Sequence, residues 1–296
     1  MMNLSEYVDI KELLDFVKCR LNSDGGYSFS YPMYGVEFPS SVSETFYAIA
    51  ILSLLGEYIP SKKKTIRYLK EIQRPDGSYD SVNVAFYAIK TLKILGERTE
   101  ISDYYAQFLH SKLNRSHIDI ETLNDEFLTV DYDTTDSPFK TAYQIAEILH
   151  TCKDKIKKED FSWLNKQNNE WMFIQGHPDI VSTYHVLNTL KLAGYDVSSF
   201  RQSVEFVLRC EVKEGGYAIA PEILPPYIET THFAVEILKM FKKVIKKRKN
   251  HINFIAHLQN EDGGFRRAKH IGISTLGNSY FAIKSLLELM GDEYED

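Results

Sequence analysis

Leu258-Gln259-Asn260-Glu261-Asp262-Gly263-Gly264-Phe265 decides the fold of this chain. An amphipathic stretch leads into it. An apolar one follows it, Ser279-Tyr280-Phe281-Ala282-Ile283-Lys284-Ser285-Leu286-Leu287, running on to Gly291. The same parts recur in the same order near the N-terminus. There Asp24-Gly25-Gly26-Tyr27 precedes Glu44-Thr45-Phe46-Tyr47-Ala48-Ile49-Ala50-Ile51-Leu52 and Gly56. Pro75-Asp76-Gly77-Ser78-Tyr79 and Glu214-Gly215-Gly216-Tyr217 are further copies, and Asn169-Glu170-Trp171 is a degenerate one. Aspartate and glycine suit a tight turn that needs a positive φ, and the aromatic residue plugs the gap between helix pairs.

Working outward from the turns, six apolar segments share one pattern: 43–56, 83–96, 138–151, 180–194, 229–242 and 277–291. Each carries an aromatic residue or His near its start, then aliphatic and small residues at helical spacing. Gly56, Gly96, Gly194 and Gly291 stand where a left-handed C-cap would fall. Six segments between them, 8–22, 61–73, 100–113, 154–167, 198–211 and 246–259, have one apolar stripe and a charged face. The spacing predicts twelve helices, alternately outer and inner. They close as an all-α, (α/α)6 barrel of six hairpins, a toroid in one domain over 1–296. The third Gly-Gly-aromatic copy is missing, and a long segment, 114–137, stands in its place.

Composition narrows the function. The chain has 296 residues, 44% of them hydrophobic, with 19 Tyr and 17 Phe. That is ample for a core with aromatic side chains left to line a cavity. A net charge of −6 argues against a nucleic-acid partner. No run is apolar enough to span a membrane, and the N-terminus does not read as a signal peptide. Three scattered cysteines without a Cys-x-x-Cys predict a reducing, cytoplasmic setting.

The Gly-Gly-aromatic turn, followed by a helix of the form Thr/Ser-aromatic-x-Ala, resembles the repeat of protein prenyltransferase β subunits, squalene and hopene cyclases and class II terpene cyclases. The resemblance covers nearly the whole chain and is clearest over 215–291. It implies an isoprenoid substrate. Prenyltransferase β subunits hold a catalytic zinc with Asp and Cys before the fifth inner helix and His at the start of the sixth. Here those places read Tyr227-Ile228-Glu229-Thr230-Thr231-His232 and Thr275-Leu276-Gly277-Asn278-Ser279-Tyr280. Neither Asp-x-Cys nor the His is present, so zinc is not expected. Class II cyclases protonate an alkene or epoxide through an Asp-x-Asp-Asp pattern, of which Asp-x-Asp-Thr-Thr is a variant. Asp131-Tyr132-Asp133-Thr134-Thr135 resembles that variant. The resemblance implies Asp133 as the acid, tuned and oriented by Asp131 and Thr134. Ser137 and Pro138 mark a helix start beyond it, so a solvated acidic loop is the rival reading.

Tyr47, Tyr87, Tyr143, Tyr184 and Tyr280 are read as divided between core packing and cavity lining, where each ring would stabilise a carbocation by about 0.5–2 kcal/mol. His185, Glu229 and His232 are further substrate-binding candidates, each with a plain structural alternative: a hydrogen-bonded core histidine, or a carboxylate favouring a helix dipole. Glu44, Glu229 and Asp179 lie near inner-helix starts and would hold Mg²⁺ with a diphosphate only if they converge. Lys242-Lys243-Val244-Ile245-Lys246-Lys247-Arg248-Lys249 reads as a solvated turn, with peripheral contact to an anionic membrane as the rival. The leading expectation is a single-domain class II cyclase acting on a polyprenyl chain or diphosphate. The alternatives are a prenyltransferase β-like subunit with a helical partner, and a non-catalytic barrel that binds a lipid or peptide.

Overall fold

The computed structural model describes residues 3–31, 34–115, 137–166, 172–174 and 177–291. Among these, eleven α-helices run in chain order. The outer ones are α1 (Ile10–Lys18), α3 (Lys62–Glu71), α5 (Asp103–Arg115), α8 (Arg201–Arg209) and α10 (Arg248–Ala256). The inner ones are α2 (Val42–Leu54), α4 (Val82–Ile94), α6 (Pro138–Thr151), α7 (Ile180–Leu192), α9 (Ile228–Met240) and α11 (Leu276–Gly291). The inner helices touch in a closed cycle: α2 on α4, α4 on α6, α6 on α7, α7 on α9, α9 on α11, and α11 back on α2. This is the expected all-α barrel.

Inner and outer helices differ because their sequences do. From Thr45 to Leu52 every residue of α2 is buried, so that helix needs apolar or small side chains all round. In α1 only Leu13, Phe16 and Val17 are buried, a single stripe. Local signals fix the ends. Ser81, Ser137 and Asp179 cap α4, α6 and α7 with side-chain oxygens that accept from backbone N–H groups in the first turn. Gly56, Gly96 and Gly194 follow α2, α4 and α7 at φ of 68°, 82° and 79°. Gly291 differs from expectation: it is the last residue of α11, without a left-handed φ.

The Gly-Gly-aromatic turns stitch neighbouring hairpins together. Asp24, Asp76 and Asp262 each accept, through Oδ1, the N–H two residues on. The N–H groups of Tyr27, Tyr217 and Phe265 donate to Thr45, Thr231 and Ser279 of the following inner helix. A Cβ on Gly25 would lie 2.5 Å from the backbone of Lys64 in α3, and one on Gly215 would lie 2.2 Å from the carbonyl oxygen of Asn250 in α10. The last turn docks on the first helix. A Cβ on Gly263 would sit 2.2 Å from the backbone of Glu12, and the Gln259 side chain exchanges hydrogen bonds with both backbone groups of Asp9.

One predicted outer helix is absent. Among its described residues, 154–166, the segment forms two 3-10 turns, Lys158–Phe161 and Leu164–Lys166, and no α-helix. Phe161 closes the first turn and Leu164 opens the second, and both are fully buried. A short antiparallel pair, Met172–Ile174 with His177–Pro178, follows before α7. The degenerate copy at 169–171 lies outside the described residues.

Candidate functional site

The bore of the barrel is built from one recurring choice. In each inner helix an aromatic residue falls about five residues in, on the face turned to the axis: Phe46 and Tyr47, Phe86 and Tyr87, Tyr143, Tyr184, Phe233, and Tyr280 with Phe281. Their rings form an unbroken circuit. Tyr47 meets Tyr87, Phe86 meets Tyr143, Tyr143 meets Tyr184, Tyr184 meets Phe233, Phe233 meets Phe281, and Tyr280 returns to Tyr47, at centroid separations of 4.4 to 5.8 Å. The Tyr47 and Tyr87 hydroxyls are 2.9 Å apart.

These rings line a cavity of about 240 Å³, to which all six inner helices contribute. That is small beside the ~300–1,000 Å³ usual for ligand pockets. Of the eight substrate-binding candidates, seven line it: Tyr47, Tyr87, Tyr143, Tyr184, His185, His232 and Tyr280. Glu229 does not. Its buried carboxylate takes a 2.5 Å ion pair from Arg267 Nε, and that guanidinium lies 4.3 Å from the Tyr227 ring centre. The Glu229–Arg267 pair ties α9 to the loop before α11.

Sequence reasoning missed the charged ring that shares the cavity. Lys90, Glu147, Glu236 and Lys284 follow Phe86, Tyr143, His232 and Tyr280 by four residues, one turn further along the same inward faces. Lys284 Nζ is 2.8 Å from Glu236, Lys90 Nζ is 3.9 Å from Glu147, and the Tyr143 hydroxyl donates to Glu147 at 3.3 Å. Lys140, Gln144 and Asn188 complete the polar wall. The sequence signal was a charged residue four positions after an inward ring, beside other charges on the same helices.

Burial sets the electrostatics. It pushes the His232 imidazole down to about 3 and His185 well below its usual value, so both are neutral. His232 Nδ1 lies 3.1 Å from the Ser285 hydroxyl. Burial also lowers the Lys90 ammonium, against the pull of Glu147. Burial, with the neighbouring Glu236, raises Glu288 one turn beyond the cavity. For Glu236 burial acts in the same direction but is outweighed by the surrounding cationic and hydrogen-bonding groups, Lys284 among them, and it stays a carboxylate.

Asp131, Asp133 and Thr134 lie outside the described residues. The helix they lead into is α6, which begins at Pro138 under the Ser137 cap and sends Lys140, Tyr143, Gln144 and Glu147 into the cavity. Of the carboxylates considered for Mg²⁺ (Glu44, Glu229 and Asp179), Asp179 caps α7 and Glu229 binds Arg267. Among the described residues no three His, Cys, Asp or Glu side chains stand close enough to hold a metal ion. Cys210 is buried just after α8, and burial pushes its thiol up to about 12.

No helix among the described residues is long and apolar enough to cross a membrane. The basic run follows α9, and within it Lys247 pairs with Glu211 at 2.9 Å. Exposed apolar side chains such as Phe29, Tyr34, Leu224 and Ile273 sit on loops leading into α2, α9 and α11.

Comparison with known proteins agrees with this geometry. A family model described as the prenyltransferase alpha-alpha toroid domain matches residues 2–85, 80–223 and 227–296. Among solved structures, Candida albicans protein geranylgeranyltransferase-I complexed with GGPP superposes with a TM-score of 0.64 at 15% identity, over 96% of this chain and 92% of that one. The type II terpene cyclase MstE from Scytonema, in complex with geranylgeranyl dihydroxybenzoate, superposes with a TM-score of 0.57 at 13% identity, over 97% and 96%. At these identities the likeness is one of fold. Lanosterol synthase erg7A of Aspergillus fumigatus is 28% identical over 152 residues, covering 38% of this chain. The chain spans only 20% of that relative's length.

Proposed function

The chain belongs to the prenyltransferase alpha-alpha toroid domain family, and on that premise we propose that it is an isoprenoid-handling enzyme, in its most concrete form a class II cyclase. The observation that carries this reading is the closed circuit of aromatic rings around the bore. A prenyl chain is apolar along its length, and its folding through carbocations calls for a dry cavity walled by π faces. Each face stabilises a cation by about 0.5–2 kcal/mol. Lys90, Glu147, Asn188, Glu236 and Lys284, one turn beyond the rings, give such a chain a fixed orientation.

In this reading Asp133 gives its proton to a terminal alkene or epoxide. The π electrons of successive double bonds close the rings, and the last carbocation loses a proton. Support for Asp133 comes from its pattern and from its place five residues before the first residue of α6. Neutral His185 and His232 supply lone pairs inside the cavity to accept the final proton.

Asp133→Asn is expected to abolish turnover of a polyprenyl substrate while leaving its binding intact, measured by product analysis beside calorimetry. Undiminished turnover would remove Asp133 from the role. Tight binding by the wild-type chain with no turnover would instead favour a barrel that only binds.

A further inference from the structure

We infer that the ligand of this bore ends in an uncharged, hydrogen-bonding head, such as an alcohol, an epoxide or a phenol, and not in a diphosphate. The inference rests on the isoprenoid reading above and names which isoprenoids the site takes. Its ground is how the charges in the bore are already matched.

Three lysines reach the cavity, Lys90, Lys140 and Lys284, and two carboxylates, Glu147 and Glu236. Lys284 holds Glu236 at 2.8 Å, Lys90 faces Glu147, and the third lysine, Lys140, is not free either. Just beyond, Glu288 adds another carboxyl group, itself held by Lys239 at 3.2 Å. No arginine is among the lining residues. The 116–136 segment that leads into α6 carries seven acidic residues.

A diphosphate brings several negative charges, and its recognition depends on cations not already spent elsewhere. To use Lys284 or Lys90 it would have to displace their carboxylates. That would leave a buried negative charge unpaired beside an incoming anion, the costliest arrangement in a low-dielectric site. An uncharged head makes no such demand. The Gln144 and Asn188 side chains and the Tyr47–Tyr87 hydroxyl pair supply donors and acceptors to it at no electrostatic cost.

The test compares two probes that differ only in the head. Farnesol and farnesyl diphosphate, the latter with and without Mg²⁺, are titrated calorimetrically into the full chain. Farnesol is expected to bind at least about tenfold tighter. Glu236→Gln, which leaves Lys284 without its carboxylate, is expected to move the preference toward the diphosphate by at least about tenfold. Glu147→Gln does the same beside Lys90, should the first variant fail to fold. A diphosphate that binds the wild type as tightly as the alcohol overturns the inference, as does an unchanged preference in a folded variant. If neither probe binds a chain shown to be folded by its melting transition, the isoprenoid reading itself falls, and the inference with it.

Discussion

At the scale of single residues, burial explains most of the unusual chemistry, and it makes stability depend on pH. His232 is held to about 3 by burial, and His185 and His251 are also pushed below their usual value. Each is neutral when folded and takes a proton on unfolding once the pH drops below about 6.5. The folded state should therefore lose stability as the pH falls from about 6.5 toward 3, at about 1.4 kcal/mol per unit for each histidine still unprotonated when folded. Asp179 acts in the other direction. Burial lifts its carboxyl to about 6, so its ionisation weakens the fold as the pH rises from about 4 to 6. Asp179→Asn keeps an oxygen to cap Ser182 but cannot ionise. Its stability relative to wild type should grow by up to about 3 kcal/mol between pH 4 and pH 7 in urea titrations, and a constant difference would contradict this. Tyr47, Tyr87, Tyr143, Tyr184 and Tyr280 were legible as candidates because aromatic residues at one place in every repeat imply a shared axis. The lysines and glutamates one turn on were not singled out, since a charge on a helix usually marks its wet face. Only closure of the ring turns that face inward.

At the scale of elements, the glycines that end a helix and those of the Gly-Gly-aromatic turn do different jobs, and the two can be separated. Gly56 has φ 68° with open space where a Cβ would go, so Gly56→Ala should cost about 1 kcal/mol from backbone strain alone. Gly263 has a similar φ of 83°, but its Cβ would enter the backbone of Glu12. Gly263→Ala should cost more than about 3 kcal/mol by urea unfolding. Equal costs would show that the last turn does not dock on α1. The turns and inner helices could be read from sequence because each copy repeats the same spacing. The fourth outer helix could not. Its stretch is amphipathic, yet Phe161 and Leu164 are buried by two successive 3-10 turns, and His110 Nδ1 fixes Asp160 in the first at 2.5 Å. A charged, amphipathic pattern does not say which helix type buries it.

At the scale of the whole molecule, the barrel is a ring whose ends must meet, and Gln259 holds that seam. Its side chain contacts Asp9 twice and also donates to the Gly263 carbonyl. Gln259→Ala should lower stability by about 1–3 kcal/mol and speed amide hydrogen exchange in α1 and α11 together. Faster exchange in α11 alone would mean the seam is not shared. Closure also gathers the aromatic residues of six helices into one cavity, and the functional reading depends on that gathering. The most direct test is photolabelling with a farnesyl chain that carries a diazirine near its tail, followed by peptide mapping. The predicted result is label on the inward faces of the inner helices, at residues such as Phe46, Tyr87, Tyr184 and Tyr280, competed away by excess farnesol. Label confined to the outer helices and loops, or label that farnesol does not displace, would contradict it.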